Sequence, residues 1–168
     1  MTPTTTRVIT PEDINAVAAL AHEIWNQHFT PIIGQEQVDY MLGKFQSVPA
    51  ISRQIQENGY EYYLVVEEDE NAGYFALVAD GDGHSAQLSK LYLKRGRRGR
   101  GIGRAVLAWL EEQGVARGVH ELWLTVNKDN TDSIAFYQRA GFVIAEPIVM
   151  DIGNGFVMDD YRMVKWVG

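Results

Sequence analysis

Between Lys90 and Arg104 the chain gathers seven of its 15 Lys and Arg residues around four glycines, in the run Lys-Leu-Tyr-Leu-Lys-Arg-Gly-Arg-Arg-Gly-Arg-Gly-Ile-Gly-Arg. An apolar segment from Ser85 to Leu93 enters this run, and an amphipathic segment from Gly101 to Arg117 leaves it. The chain must therefore pass from strand to helix through a turn with little side-chain cover. Such a junction presents backbone N–H groups together with the partial positive charge of a helix N-terminus, a cradle for phosphate. Setting those seven basic residues aside leaves 8 Lys and Arg against 22 Asp and Glu, a balance of -14 over the remainder. No Asp or Glu occurs between Gly83 and Leu110, so the sequence predicts an undiluted positive field at the glycines.

The acidic remainder argues against nucleic acid as a partner and suits a cationic small molecule. With 168 residues, 46% of them hydrophobic, the chain reads as a single domain over 1–168. It contains no apolar run of the roughly 18 residues that a membrane span needs, and Met-Thr-Pro-Thr-Thr-Thr-Arg at its start lacks the apolar core of a signal peptide. The expectation is a cytoplasmic protein without a membrane partner. Cysteine is absent, which removes disulfides, thiolate metal sites and a cysteine nucleophile together; no metal is expected.

Along the chain, Arg7-Val8-Ile9 reads as a first strand. Thr10-Pro11-Glu12-Asp13 starts a helix that turns Ile14, Val17, Ala18, Ala21 and Trp25 inward. Phe29 to Gly34 breaks regularity before a second helix near Gln37 to Phe45. Tyr62 to Glu67 and Gly73 to Ala79 form a hairpin about the turn Glu68 to Ala72. Ser85 to Leu93 is the strand into the basic loop and Gly101 to Arg117 the helix out of it. Glu121 to Val126 is a strand, Asn130 caps a short helix to Ala140, and Phe142 to Met150 and Phe156 to Trp166 pair around Gly153-Asn154-Gly155. This order predicts an α/β (α+β) domain with a mixed sheet and helices on its faces.

The glycine run is not a Walker loop, because no Lys-Ser/Thr pair closes it, and not a dinucleotide fingerprint, because Arg104 stands where the third glycine belongs. Arg98-Gly99-Arg100-Gly101-Ile102-Gly103 instead resembles the acetyl-CoA pyrophosphate loop of the GCN5-related N-acetyltransferase (GNAT) superfamily. About thirty residues later, Asn130-Thr131-Asp132-Ser133-Ile134-Ala135-Phe136-Tyr137 and the following Gly141-Phe142 are similar to that superfamily's second hallmark. On a helix Asn130, Ser133 and Tyr137 share a face, while Phe136 and Ala140 can turn toward a sheet.

The resemblance covers roughly Tyr62 to Trp166. It implies a twisted, mostly antiparallel sheet of about seven strands with helices on both faces. It also implies an acetyl-CoA-dependent N-acetyltransferase in which a primary amine attacks the thioester directly. On this reading acetyl-CoA is held by main-chain groups of Leu91, Tyr92 and Leu93, by Arg98, Gly99, Arg100, Gly101, Ile102, Gly103 and Arg104, and by Asn130 and Tyr137. Tyr137 is the general acid for the departing thiolate. An acyl-CoA sensor without turnover is the alternative, and a nucleic-acid module a weaker one. Pairing through the last strands into a homodimer would be ordinary for such a fold.

An alkylamine with a pKa near 10.4 is neutral about once in 2,500 molecules at pH 7, so its proton needs a base. Glu67, Glu68, Glu23, His28 and His84 are candidates without a motif. Ile24 to Thr30 with Tyr40-Met41-Leu42 is similar to the acceptor region of the spermidine/spermine acetyltransferase subgroup. There Trp25 and Phe29, with Glu67, would hold a cationic acceptor. Ser89-Lys90 departs from that subgroup, which tends to be acidic at this place.

Overall fold

In the computed structural model, which describes residues 3–168, the chain runs β1 (Thr4–Arg7), α1 (Pro11–His28), α2 (Thr30–Ile33), α3 (Gln35–Phe45), α4 (Val48–Glu57), β2 (Tyr60–Glu67), β3 (Glu70–Ala79) and β4 (Ser85–Leu93). A 3-10 turn (Arg95–Arg97) follows, then α5 (Ile102–Ala116), β5 (Glu121–Asn127), α6 (Thr131–Arg139), β6 (Val143–Gly153) and β7 (Phe156–Trp166). The strands form a seven-stranded sheet in the order β1-β2-β3-β4-β5-β7-β6. β4 and β5 run parallel, while β1–β2, β2–β3, β5–β7 and β6–β7 are antiparallel. The expected mostly antiparallel sheet is thus present. No helix among the described residues is long and apolar enough to cross a membrane.

Local chemistry explains most boundaries. Thr10 accepts a hydrogen bond from the Asp13 amide at 3.2 Å, and Asp13 accepts from the Thr10 amide at 3.1 Å and from that of Ile9 at 3.0 Å. This capping box starts α1 with Pro11 in its first turn. The buried stripe of α1 is Val17, Leu20, Ala21, Ile24 and Trp25, so Leu20 and Ile24 displace the predicted Ile14 and Ala18. Leu20 removes more apolar surface from water than Ala18 would, and Ile14, in the first turn of α1, is half-buried. The first strand lies at Thr4–Arg7, earlier than predicted, and α2 fills the break after Phe29. Helix α4 was not predicted; Ser47 caps it by accepting from the Ala50 amide at 3.3 Å, and its buried residues are Ala50 and Ile51.

Contacts divide the chain into two units: residues up to Val78 with Lys90–Ala105, and Ala79–Ser89 with Val106–Gly168. In the N-terminal unit, Tyr62, Tyr74, Phe75, Ile24 and Ile51 are fully buried. The β2–β3 turn is tighter than expected. Glu68 and Asp69 take φ of 54° and 62°, the mirror-image turn that matches strand twist, so Glu70 already belongs to β3. Gly73 of β3 is required by close approach, because a Cβ there would stand 2.2 Å from the Tyr92 carbonyl oxygen.

In the C-terminal unit, β4 pairs with β5 from Ser85↔Glu121 to Gln87↔Trp123. Leu122, Leu124 and Val126 bury one face of β5, and Met163 of β7 lies opposite Leu124 in register. Lys165 on that same face ties the two helices, reaching Glu111 of α5 and the Ala140 carbonyl at the end of α6. The other face carries Glu121, Trp123, Thr125 and Asn127, paired across to Trp166, Val164, Arg162 and Asp160. Asn154 and Gly155, with φ of 54° and 79°, turn β6 into β7.

Candidate active site

The glycine loop leaves β4 through the 3-10 turn and enters α5 at Ile102. Gly99 and Gly101 take φ of 74° and 81°, conformations that L side chains rarely adopt. A Cβ built at either would meet no atom within 4 Å. Their requirement is therefore conformational, and the space over them is open for a ligand to approach the main chain. Ile102, 1% exposed, anchors the first turn of α5 in the core, while Arg104 is exposed.

The predicted undiluted positive field is corrected by the fold. The β2–β3 hairpin brings three acids to the loop: Arg97 meets Glu67 at 2.6 Å, Glu70 at 2.5 Å and Glu68 at 3.6 Å. Arg100 lies 3.3 Å from Glu67 and 3.7 Å from Glu68. No acid precedes these basic residues nearby in sequence, but strand pairing supplies them in space. Glu67 is 5% exposed, so among the predicted site residues it is placed beneath the loop arginines. Hydrogen bonding to Glu67 holds the Arg97 guanidinium more firmly protonated than usual.

The remaining arginines tie the loop to β4 and α1. Arg98 donates from Nε to the Leu93 carbonyl at 3.1 Å and contacts His28 Nδ1 at 3.1 Å, and Arg95 donates to the Gln27 carbonyl at 3.0 Å. Trp25 and Phe29 pack against Tyr92 of the β4 segment. Trp25 and Phe29 stand 4.4 Å apart by ring centroids, and the Tyr92 ring lies 5.4 Å from the first and 5.8 Å from the second. The Trp25 indole N–H is buried, with the Tyr74 hydroxyl as its polar neighbour.

In the C-terminal unit, Asn130 stands at the N-cap of α6 but makes no side-chain capping bond, a correction to its predicted role. It is buried, and its amide donates to the Asn127 carbonyl at 3.0 Å. Tyr137 is the buried residue of α6, with Phe136 and Phe142 rings at 5.2 and 5.6 Å, and burial holds its hydroxyl well above the usual tyrosine range. It is a protonated donor at neutral pH. No group of three or more His, Asp or Glu among the described residues could hold a metal ion.

The family model for the GNAT acetyltransferases matches residues 19–142. The chain belongs to that family. A relative from Lactobacillus delbrueckii subsp. lactis, an uncharacterized N-acetyltransferase of the pepI 3' region, is 23% identical over 87% of this chain and 88% of its own. Among solved structures, the PaiA N-acetyltransferase of Thermoplasma acidophilum in complex with coenzyme A superposes with a TM-score of 0.80 at 20% identity, over 99% of both chains. A GCN5-related N-acetyltransferase of Rhodopseudomonas palustris gives 0.82 at 19% identity, over 99% of this chain and 97% of that one. The protein is a GNAT acetyltransferase with acetyl-CoA as its cosubstrate.

Two buried groups of this acetyltransferase escaped sequence reasoning. Lys90 Nζ donates to the Phe45 carbonyl at 2.6 Å, to Gln54 Oε1 at 3.0 Å and to the Tyr62 hydroxyl, and lies 5.1 Å from the Tyr62 ring centroid. Tyr62 in turn donates to Gln54 Oε1 at 2.5 Å. Burial pushes Lys90 down to about 7. The alternation Ala86, Leu88, Lys90, Tyr92 placed it on an inward face, but its acceptors come from α4 and the α3 terminus. The second group is Asp160 of β7, 4% exposed, whose carboxyl is pushed up to about 6 by burial and by neighbouring Asp159.

Proposed function

We infer that this acetyltransferase moves the acetyl group of acetyl-CoA to a primary amine by direct attack, within a single domain over 1–168. The observation that carries the reading is the loop at Gly99 and Gly101, with left-handed backbone and open space where side chains would stand. Backbone N–H groups there, ending at the N-terminus of α5, suit the pyrophosphate oxygens. Arg98, Arg100 and Arg104 add charge, with Ile102 and Gly103 continuing the main-chain contact. Arg97, held by three carboxylates, serves the loop's shape. Main-chain groups of Leu91, Tyr92 and Leu93 meet the pantetheine and polarise the thioester carbonyl. Asn130 supports the cosubstrate, and Tyr137 protonates the departing thiolate. Trp25 and Phe29 border the acceptor amine.

The amine needs no protein nucleophile, consistent with a chain lacking cysteine. The test mixes protein, acetyl-CoA and a panel of polyamines, amino acids and peptides with a thiol reagent; CoA release is expected, and silence across the panel counts against the reading. Tyr137→Phe is expected to lower kcat by about 100-fold or more, the range of a positioned acid. Acetyl-CoA affinity should stay within about threefold, because the ring is kept. An unchanged kcat would remove Tyr137 from the chemistry.

A further inference from the structure

Among the described residues of the C-terminal unit, two polar side chains are buried, Asn130 at 6% and Asp160 at 4% exposure. Both are fixed to the same residue. Asn127 accepts the Asn130 amide hydrogen bond at 3.0 Å, and Asn127 is the cross-strand partner of Asp160. Residues paired this way project to the same sheet face, so Asp160 shares a face with Asn127 and Thr125 at the mouth of the β5–α6 connection.

The charges around Asp160 are engaged with other partners. Lys128 forms its ion pair with Asp159 at 2.8 Å and lies over the Tyr161 ring. Arg162, two residues along the same face, lies 3.3 Å from Glu121 and over the Trp123 ring. From β6 the cross-strand neighbour is Ile148, which is apolar. The Thr125 hydroxyl hydrogen-bonds the carboxyl and favours its charged form, as does Lys128 more weakly, while Asp159 opposes it. A buried carboxylate has about four acceptor positions, and one hydroxyl fills a quarter of them. A desolvated carboxylate without an ion pair is a costly arrangement, of the kind that collects at functional sites.

We propose that Asp160 receives the ammonium head of the acceptor and takes its proton, so that the acceptor is a cationic primary amine. This rests on the acetyltransferase reading above. The ammonium gives one proton to the Asp160 carboxylate. The freed nitrogen lone pair forms the C–N bond at the thioester carbonyl carbon. Collapse of the adduct breaks the C–S bond, the thiolate takes the Tyr137 proton, and the second nitrogen proton restores Tyr137. The carboxyl proton then passes to solvent, so that the net products are the amide, CoA thiol and one proton. Burial raises the carboxyl toward the ammonium value near 10.4, which eases the transfer.

The experiment compares wild type with Asp160→Asn and Thr125→Val, using alkylamines and an arylamine that is already neutral at assay pH. Asp160→Asn should lower kcat/KM for alkylamines by about 100-fold, with arylamine turnover and calorimetric acetyl-CoA affinity near wild type. The wild-type acid limb near pH 6 should vanish in Asp160→Asn. In Thr125→Val it should move upward, because the hydroxyl that favours the charged form is gone. Alkylamine turnover unchanged in Asp160→Asn, with the acid limb intact, overturns the proposal alone. A loss of acetyl-CoA affinity that matches the loss of turnover also overturns it, placing Asp160 at the cosubstrate. A wild type that binds acetyl-CoA yet acetylates no amine overturns the acetyltransferase reading and the proposal with it.

Discussion

Lys90 and Asp160 are opposite solutions to the same problem. Each is an ionisable side chain taken out of water, one in each unit, and among the described residues neither has an ion pair to offset its desolvation. Lys90 is saturated. An ammonium has three N–H donors, and the Phe45 carbonyl, Gln54 Oε1 and the Tyr62 hydroxyl receive them. Its partners come from α4, β2 and the end of α3, so the bonds join elements distant in sequence. Asp160 is left with acceptor capacity that its own unit does not fill. The difference teaches how to separate a buried charge that organises a fold from one that awaits a ligand: count donors and acceptors, and ask what remains.

The sharpest way to break this contrast is to reverse the sign at Lys90. Lys90→Glu would set a carboxylate against the Phe45 carbonyl and Gln54 Oε1, all acceptors. Burying an unpaired charge among acceptors should cost more than ~3 kcal/mol in urea unfolding. A cost under ~1 kcal/mol would show that the network can rearrange, and the saturated description of Lys90 would fail.

A smaller effect separates burial from bonding. In the unfolded chain a lysine holds its proton to about pH 10.4, whereas folded Lys90 releases it near 7. Between those values the unfolded state binds more protons, so stability rises with pH through that window. Lys90→Met should flatten this rise by about 3 kcal/mol between pH 7 and 10, read as the difference between wild-type and variant denaturation curves. Parallel curves would mean that Lys90 titrates near its ordinary value.

Much of this molecule was legible in local pattern. The Thr10 cap, the β2–β3 hairpin, the glycine loop and the β6–β7 turn all rest on chemistry within a few residues, and each is present, the β2–β3 turn closing at Glu68 and Asp69 and so tighter than the sequence placed it. What escaped depends on partners far along the chain. Nothing near Arg97 foretold Glu67, Glu68 and Glu70, because a hairpin some thirty residues earlier delivers them. Helix α4 was obscured by its polar residues, since only Ala50 and Ile51 bury fully; Ser47 before Pro49 was the signal to weigh. With α4 missing, Gln54 could not be foreseen beside Lys90. Asp160 falls inside the predicted strand Phe156 to Trp166, but no local signal showed that its carboxyl would be buried there.

The smallest expected change lies at Asp160 and runs against intuition. Its folded carboxyl keeps a proton to about pH 6, while an unfolded aspartate gives it up near 3.9. Between those values the folded state binds more protons, so this group's contribution falls as pH rises from about 4 to about 6 and stays low at neutral pH. Asp160→Asn removes the ionisation and keeps the shape. It should therefore be more stable than wild type at pH 7.5 by about 1 kcal/mol, with the advantage shrinking toward pH 4. Chemical denaturation at the two pH values reads this directly. A variant that is more stable and far less active would mark Asp160 as a residue kept for function against stability. A variant destabilised at both pH values would instead place Asp160 with Lys90, as a buried charge whose bonds hold the fold together.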